Sequence, residues 1–270
     1  MRIKAGFTVS YDCSQPTPML LCLSVHPSRL PDLLTPQHLK FSPDIPAWDY
    51  VDAFGNVCTR IIAPVGVTTV STAFEINDTG RPDFIPSGAT QHEIKDLPDE
   101  TLMFLLGSRY CETDRLSDIA WKLFANTPPG WPRVQAILDY VHNHIKFDYM
   151  QADRTRSAYG GYVERVGVCR DYTHLFIAFC RAMNIPARYC TGYLGDINNV
   201  PVPGPMDFSA WAEVYLGGHW YTADARNNVP RTGRVLMAIG RDATDVALST
   251  EFGPAKLAGF EVVTEEVQPA

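Results

Sequence analysis

No apolar run in this 270-residue chain approaches the length of a bilayer span; a stretch such as residues 18–25 is strand-sized. Residues 1–8 lack the apolar core of a signal peptide, which speaks against secretion. Basic residues are few: 23 Lys and Arg stand against 30 Asp and Glu, a net charge of −7. Neutralising phosphates takes a basic surface, so a general nucleic-acid binder is excluded. The seven cysteines include no Cys-x-x-Cys pair and no regular spacing. They read as free thiols in a reducing cytoplasm, where the glycosylation-like Asn77-Asp78-Thr79 has no meaning. There is no internal repeat and no low-complexity tract. No motif asks for a cofactor or a metal. What is present, 46% hydrophobic and 20% charged residues, is the composition of a globular protein of one large or two ordinary domains.

The first hundred residues read as β-structure. Strands are expected over residues 3–11, 19–26, 57–63 and 67–76, rich in Val, Ile, Thr and Phe. Turn signals at Phe54-Gly55-Asn56, Pro64-Val65-Gly66 and Asp78-Thr79-Gly80 separate them, and the pattern suggests a small sandwich or barrel. Residues 81–98, with three prolines, read as a linker. After Asp99 the period changes. A short helical run opens at 102–106. Helices are expected over 114–126, with Leu116, Ile119, Ala120 and Leu123 on one face, and over 132–145, with Val134, Ile137, Leu138, Val141 and Ile145 on another. Strands follow at 187–194, 208–216 and 219–225. Helices first and a meander after is an α+β pattern.

Between these lies Gly167-Val168-Cys169-Arg170-Asp171. Tyr172, Phe176, Phe179 and Met183 follow at helical spacing, and Cys169 falls on the same stripe, in the first turn and facing inward. Free N–H groups and the positive dipole end stabilise an anion there, so Cys169 is expected to have a depressed pKa and to be a nucleophile. A small buried hydrophobe is the competing reading. Asp171, in the same first turn, suits the helix dipole.

Gly217-Gly218 between two alternating strands signals a two-residue hairpin. Its register sets Leu216 opposite His219, and further along Trp211 opposite Asp224 and Ser209 opposite Arg226. Ser209, Trp211 and Asp224 then share one face, with Ser209 and Asp224 diagonal neighbours at roughly 7–8 Å. Asp224 lies amid Thr222, Ala223 and Ala225, a place where a charge wants a partner. An ordinary strand-end carboxylate is the plainer reading of it.

Four segments in order carry a resemblance: Gly167 to Asp171, Ile185-Pro186-Ala187-Arg188-Tyr189, Phe208-Ser209-Ala210-Trp211-Ala212-Glu213-Val214-Tyr215-Leu216, and Trp220-Tyr221-Thr222-Ala223-Asp224. Together they resemble the transglutaminase-like superfamily, in its bacterial branch with an N-terminal β domain. The resemblance is good over residues 114–228 and weaker over the N-terminal strands. It implies a β-sandwich-like domain followed by a papain-like α+β core, in which a cysteine at a helix start packs against a sheet carrying a histidine and then an aspartate. By motif Cys169 takes the nucleophile position and Asp224 that of the group orienting the base. Most members have a histidine before the Ala-Trp; this chain has Ser209. A hydroxyl cannot hold a proton near neutral pH as imidazole can. General-base help is worth about 10²–10⁴-fold, so turnover is expected to be impaired while the thiol stays reactive.

No other histidine is placed to substitute. His174 is about 140° round the helix from Cys169. His219 is at the hairpin tip. His142 and His144, an i, i+2 pair that diverges on a helix, read as helix-end residues rather than metal ligands. His26, His38 and His92 have nothing chemical around them. Arg226 would set a permanent cation near the thiol. Trp211 reads as core. Tyr159 and Tyr162 are candidates to line the acyl site, with no basis for choosing between them.

The expectation is an N-terminal β domain and linker over residues 1–98 and a transglutaminase-like domain over 99–270. Its function would be thiol acyl transfer, as an amidase, peptidase or amine acyltransferase acting through a Cys169 thioester on a peptide or protein amide. The alternative is an inactive scaffold that binds peptides or partner proteins. No nucleic acid, membrane or cofactor is expected, and the compartment is the cytoplasm.

Overall fold

The computed structural model describes residues 1–199 and 206–268. Strand alternation builds its first element, β1 (Arg2–Cys13), where Ile3, Ala5, Phe7, Val9 and Tyr11 are buried in turn. After it come β2 (Thr17–Leu21), β3 (Lys40–Ser42), β4 (Ala47–Val51), β5 (Val57–Ala63) and β6 (Gly66–Asn77). A stretch without strands leads to α1 (Asp99–Leu102), α2 (Thr113–Phe124) and α3 (Trp131–His144). Next are β7 (Lys146–Phe147), α4 (Ala158–Glu164), β8 (Val166–Gly167) and α5 (Cys169–Ala182). The chain continues through β9 (Ala187–Tyr193), β10 (Ser209–Leu216), β11 (His219–Ala223) and β12 (Val235–Gly240), then β13 (Ser249–Glu251) and β14 (Ala255–Glu266).

Two four-stranded sheets, ordered β14-β1-β6-β3 and β13-β2-β5-β4, share a core that includes Phe7, Leu21, Ile61 and Phe74. This is the expected β half, with one difference. The division expected at residues 98 and 99 gives the last strands to the second domain. Their ladders run with the first instead: β14 pairs with β1 from Ile3↔Glu266 to Cys13↔Ala255, and β13 pairs with β2. β1 and β2 would otherwise each leave an edge of unpaired backbone groups. The two halves also share apolar contacts, since Tyr193, Phe208, Val235 and Met237 belong to the same core.

The third sheet, ordered β11-β10-β9-β12, packs on α5, which α2, α3 and α4 surround. Every residue of α5 from Asp171 to Ala182 is buried, so this helix is the centre of the α+β half. Its one buried guanidinium, Arg181, donates to the carbonyls of Leu106 and Ala187. The hairpin is as expected. Gly217 and Gly218 have φ of 55° and 87°, the left-handed region that a tight two-residue turn requires, and the register runs from Leu216↔His219 to Ala212↔Ala223. Among the described residues no helix is long and apolar enough to cross a membrane.

Candidate active site

The start of α5 is built by its own sequence. Asp171 folds back so that its Oδ2 accepts the Val168 N–H at 2.8 Å, capping the helix. A Cβ on residue 167 would lie 2.5 Å from that oxygen, which is why the motif begins with glycine. Asp171 is fully buried, and Arg156 Nη1 reaches its Oδ2 at 3.3 Å. The dipole reading of Asp171 was therefore too weak: it is a buried cap with a buried cation behind it. Asp171→Asn keeps an acceptor for Val168 but removes the charge facing Arg156. We expect it to lower unfolding stability by about 2 kcal/mol, read as a lower urea midpoint at unchanged slope.

Cys169 is the first residue of α5 and is half-buried. The Ala210 N–H, at the start of β10, acts on its sulfur in favour of the anion. Contrary to the expected depression, the thiol pKa is pushed up to about 11. Burial is the largest cause and the Asp207 carboxylate is the next; the Ala210 N–H and Arg226 pull it down without offsetting them. A site dry enough to bury the sulfur penalises its charged form more than these donors help it.

Asp207 and Tyr149 are the neighbours that sequence reasoning missed. Tyr149, in a single turn of 3-10 helix, donates its hydroxyl to Asp207 Oδ2 at 3.0 Å. Burial raises the Asp207 carboxyl above its usual range. Burial, Asp207 and Cys169 raise the Tyr149 phenol to about 12. Tyr149 is thus a tyrosine on which the thiol acts, and buried Tyr189 is another. Tyr162 stacks on His144 and packs against Phe179, and Tyr159 lies under Arg115, its ring 3.6 Å from the guanidinium.

Asp224 lies one residue past the end of β11 and is 7% exposed. It accepts from Arg234 Nη2 at 2.8 Å, Asn227 Nδ2 at 2.7 Å and the Asn227 N–H at 3.0 Å. Burial works to raise its pKa, but Arg234 and Asn227 together hold it below the ordinary carboxylate value. The carboxylate thus has the partners its apolar setting demanded. Trp211 is core, 2% exposed, with the Arg234 guanidinium 5.0 Å from its ring. Trp211 and Asp224 are therefore gathered by one arginine, although the β10–β11 ladder ends at Ala212↔Ala223 and does not itself pair them. Ala210, Ala212, Val214 and Leu216 face α5, so Ser209 has the parity of Trp211, and the sulfur meets this strand at its first residues. The extrapolated Ser209–Arg226 pairing does not form, because the ladder ends at Ala223. Arg226 turns over Phe147, 4.4 Å from the ring, yet still acts on the thiol as a cation.

The histidines are structural. His174 is buried between Tyr110 and Tyr189, accepts the Ala243 N–H at 3.2 Å, and is driven down to about 3 by burial. His142 donates to the carbonyls of Ala225 and Arg226, and His144 to that of Tyr162. His92 stacks on Tyr215 and accepts the Gly218 N–H at the hairpin tip.

Residues 118–225 match the sequence model of the transglutaminase-like superfamily. A crystal structure of a Cytophaga hutchinsonii protein proposed to be a cysteine protease is similar over 100% of this chain and 92% of its own, at 29% identity and a TM-score of 0.86. An uncharacterized protein of Mycobacterium leprae is 38% identical over 84 residues, and the match takes in 30% of that relative's length. The periplasmic domain of TgpA from Pseudomonas aeruginosa aligns over 83% of this chain and 90% of its own at 16% identity, with a TM-score of 0.39.

Proposed function

We propose that this chain, a member of the transglutaminase-like superfamily through residues 118–225, is a thiol acyl-transfer protein of low intrinsic turnover acting on peptide or protein amides. The observation that carries the reading is Cys169 at the first turn of α5, packed on the core that α5 shares with β10. In the reaction, the sulfur attacks the amide carbonyl carbon and the amine leaves with a proton. The resulting thioester passes its acyl group to water or to a second amine. Low turnover follows from two features. Ser209 stands where the resemblance calls for a base, and a thiol at about 11 is only about 10⁻⁴ ionised at pH 7. A reducing, cytoplasmic setting belongs to the same proposal, in keeping with seven free cysteines.

One observation favours the second reading, a scaffold that binds peptides or partner proteins in the old cleft. Asp224 is already engaged by Arg234 and Asn227 and so has no imidazole to orient. Trapping separates the two. Under the first reading, incubation with an activated peptide ester and an acid quench gives a mass adduct that maps to Cys169 and disappears with hydroxylamine. Binding of the peptide without any adduct supports the scaffold.

A further inference from the structure

Outside the candidate site, the β half brings two of the seven cysteines together. The β2–β5 ladder runs to Leu21↔Thr59, so the next position sets Cys22 opposite Cys58. The Cys22 N–H turns the other way, to the Leu248 carbonyl at 3.1 Å, which makes Cys22 and Cys58 a non-hydrogen-bonded pair. Side chains are closest at such pairs, with Cα atoms about 4.5 Å apart, inside the range a disulfide spans. Both residues are buried. Their action on each other is the main reason the Cys58 thiol is lowered and the Cys22 thiol raised. Cys58 in turn donates to Asp52 Oδ2 at 3.9 Å.

We infer that Cys22 and Cys58 form an oxidation site, closing a cross-strand disulfide when the folded protein meets a low-molecular-weight disulfide. Cys58, the better thiolate, attacks one sulfur of the small disulfide and releases one thiol. Cys22 loses its proton to solvent and attacks the Cys58 sulfur of the mixed disulfide, expelling the second thiol. Two protein thiols are oxidised, and one small disulfide is reduced to two thiols. The site adjoins a joint between the halves. Asp52 Oδ2 also accepts from Asn56 Nδ2 at 2.8 Å. The buried Asn56 amide holds both the N–H and the C=O of Ile239 in β12, each at 2.8 Å. Oxidation takes the S–H donor away from Asp52 at the point where this loop grips the third sheet.

The test uses the whole chain and glutathione disulfide. Reaction is followed by circular dichroism, quenched with N-ethylmaleimide, and read by intact mass and peptide mapping. We expect loss of alkylation at residues 22 and 58 together, a mass lower by two hydrogens, a cross-linked peptide pair, and reversal by dithiothreitol. Cys22→Ser should leave a stable glutathione adduct on Cys58. Full alkylation at both positions overturns the inference. So does a glutathione on each cysteine, linkage to a different cysteine, or a crosslink that appears only as the protein unfolds.

Discussion

Ser209→His is expected to raise acyl-transfer or thiol hydrolase turnover by about 10²-fold or more. An imidazole at the head of β10 would sit on the strand whose Ala210 N–H already acts on the Cys169 sulfur. It would supply the proton acceptor that Ser209 cannot. Asp224, expected on the same sheet face as Ser209, is charged and buried, held by Arg234 at 2.8 Å. To orient the new ring it must exchange the Asn227 amide for an imidazole N–H, a local swap of one donor for another. That swap limits the gain relative to a site evolved around histidine, where base and orienter act as one unit. Ser209→Ala should change turnover little, because the hydroxyl is not the base. The assay compares both variants with the parent on peptide amides, with and without an amine acceptor. Loss of a robust parental activity in Ser209→Ala would make the serine a working part of the site and remove the case for impairment. A Ser209→His protein that forms the Cys169 adduct no faster than the parent would show that Asp224 and the thiol are not arranged around this position.

Much of this site was legible because its signals are local. The Gly217-Gly218 turn set a register that the structure reproduces, and helical spacing placed Cys169 at the start of α5. Asp224, amid apolar neighbours just past β11, called for a partner and has Arg234. What was not legible depends on contacts distant in sequence. β14 escaped notice because of its residues only Val262 and Thr264 are buried, so it lacks the alternation that marks a half-buried strand. β4, an edge strand, is exposed along its whole length. Tyr149 and Asp207 are 20 residues before and 38 after Cys169, and only the packing of the 3-10 turn against the approach to β10 brings them to the sulfur. The helix-end argument for a depressed thiol failed for the same reason: it counted the donors at the helix terminus and could not count the burial or the carboxylate that tertiary structure adds.

That balance leads to the second large effect. Iodoacetamide alkylation of Cys169, followed on its own peptide, should reach half its limiting rate near pH 11. At pH 7 it should then run about 10²-fold slower than a model thiol with a pKa about two units lower. The direction follows from the sign of each neighbour. Burial and the Asp207 carboxylate disfavour thiolate, while Arg226 and the Ala210 N–H favour it. Asp207→Asn removes a like charge and should move the midpoint down, speeding alkylation at neutral pH. Arg226→Gln removes the opposite charge and should move the midpoint up. The pair of variants also distinguishes two roles for Asp207. If this carboxylate, raised by burial and hydrogen-bonded by Tyr149, takes the thiol proton during reaction, then Asp207→Asn will lower the rate of thioester formation even as it lowers the alkylation midpoint. If it only repels the thiolate, both rates will rise together. A parental midpoint below that of the model thiol would sink the burial argument, and Cys169 would be an activated nucleophile needing no base to begin its chemistry.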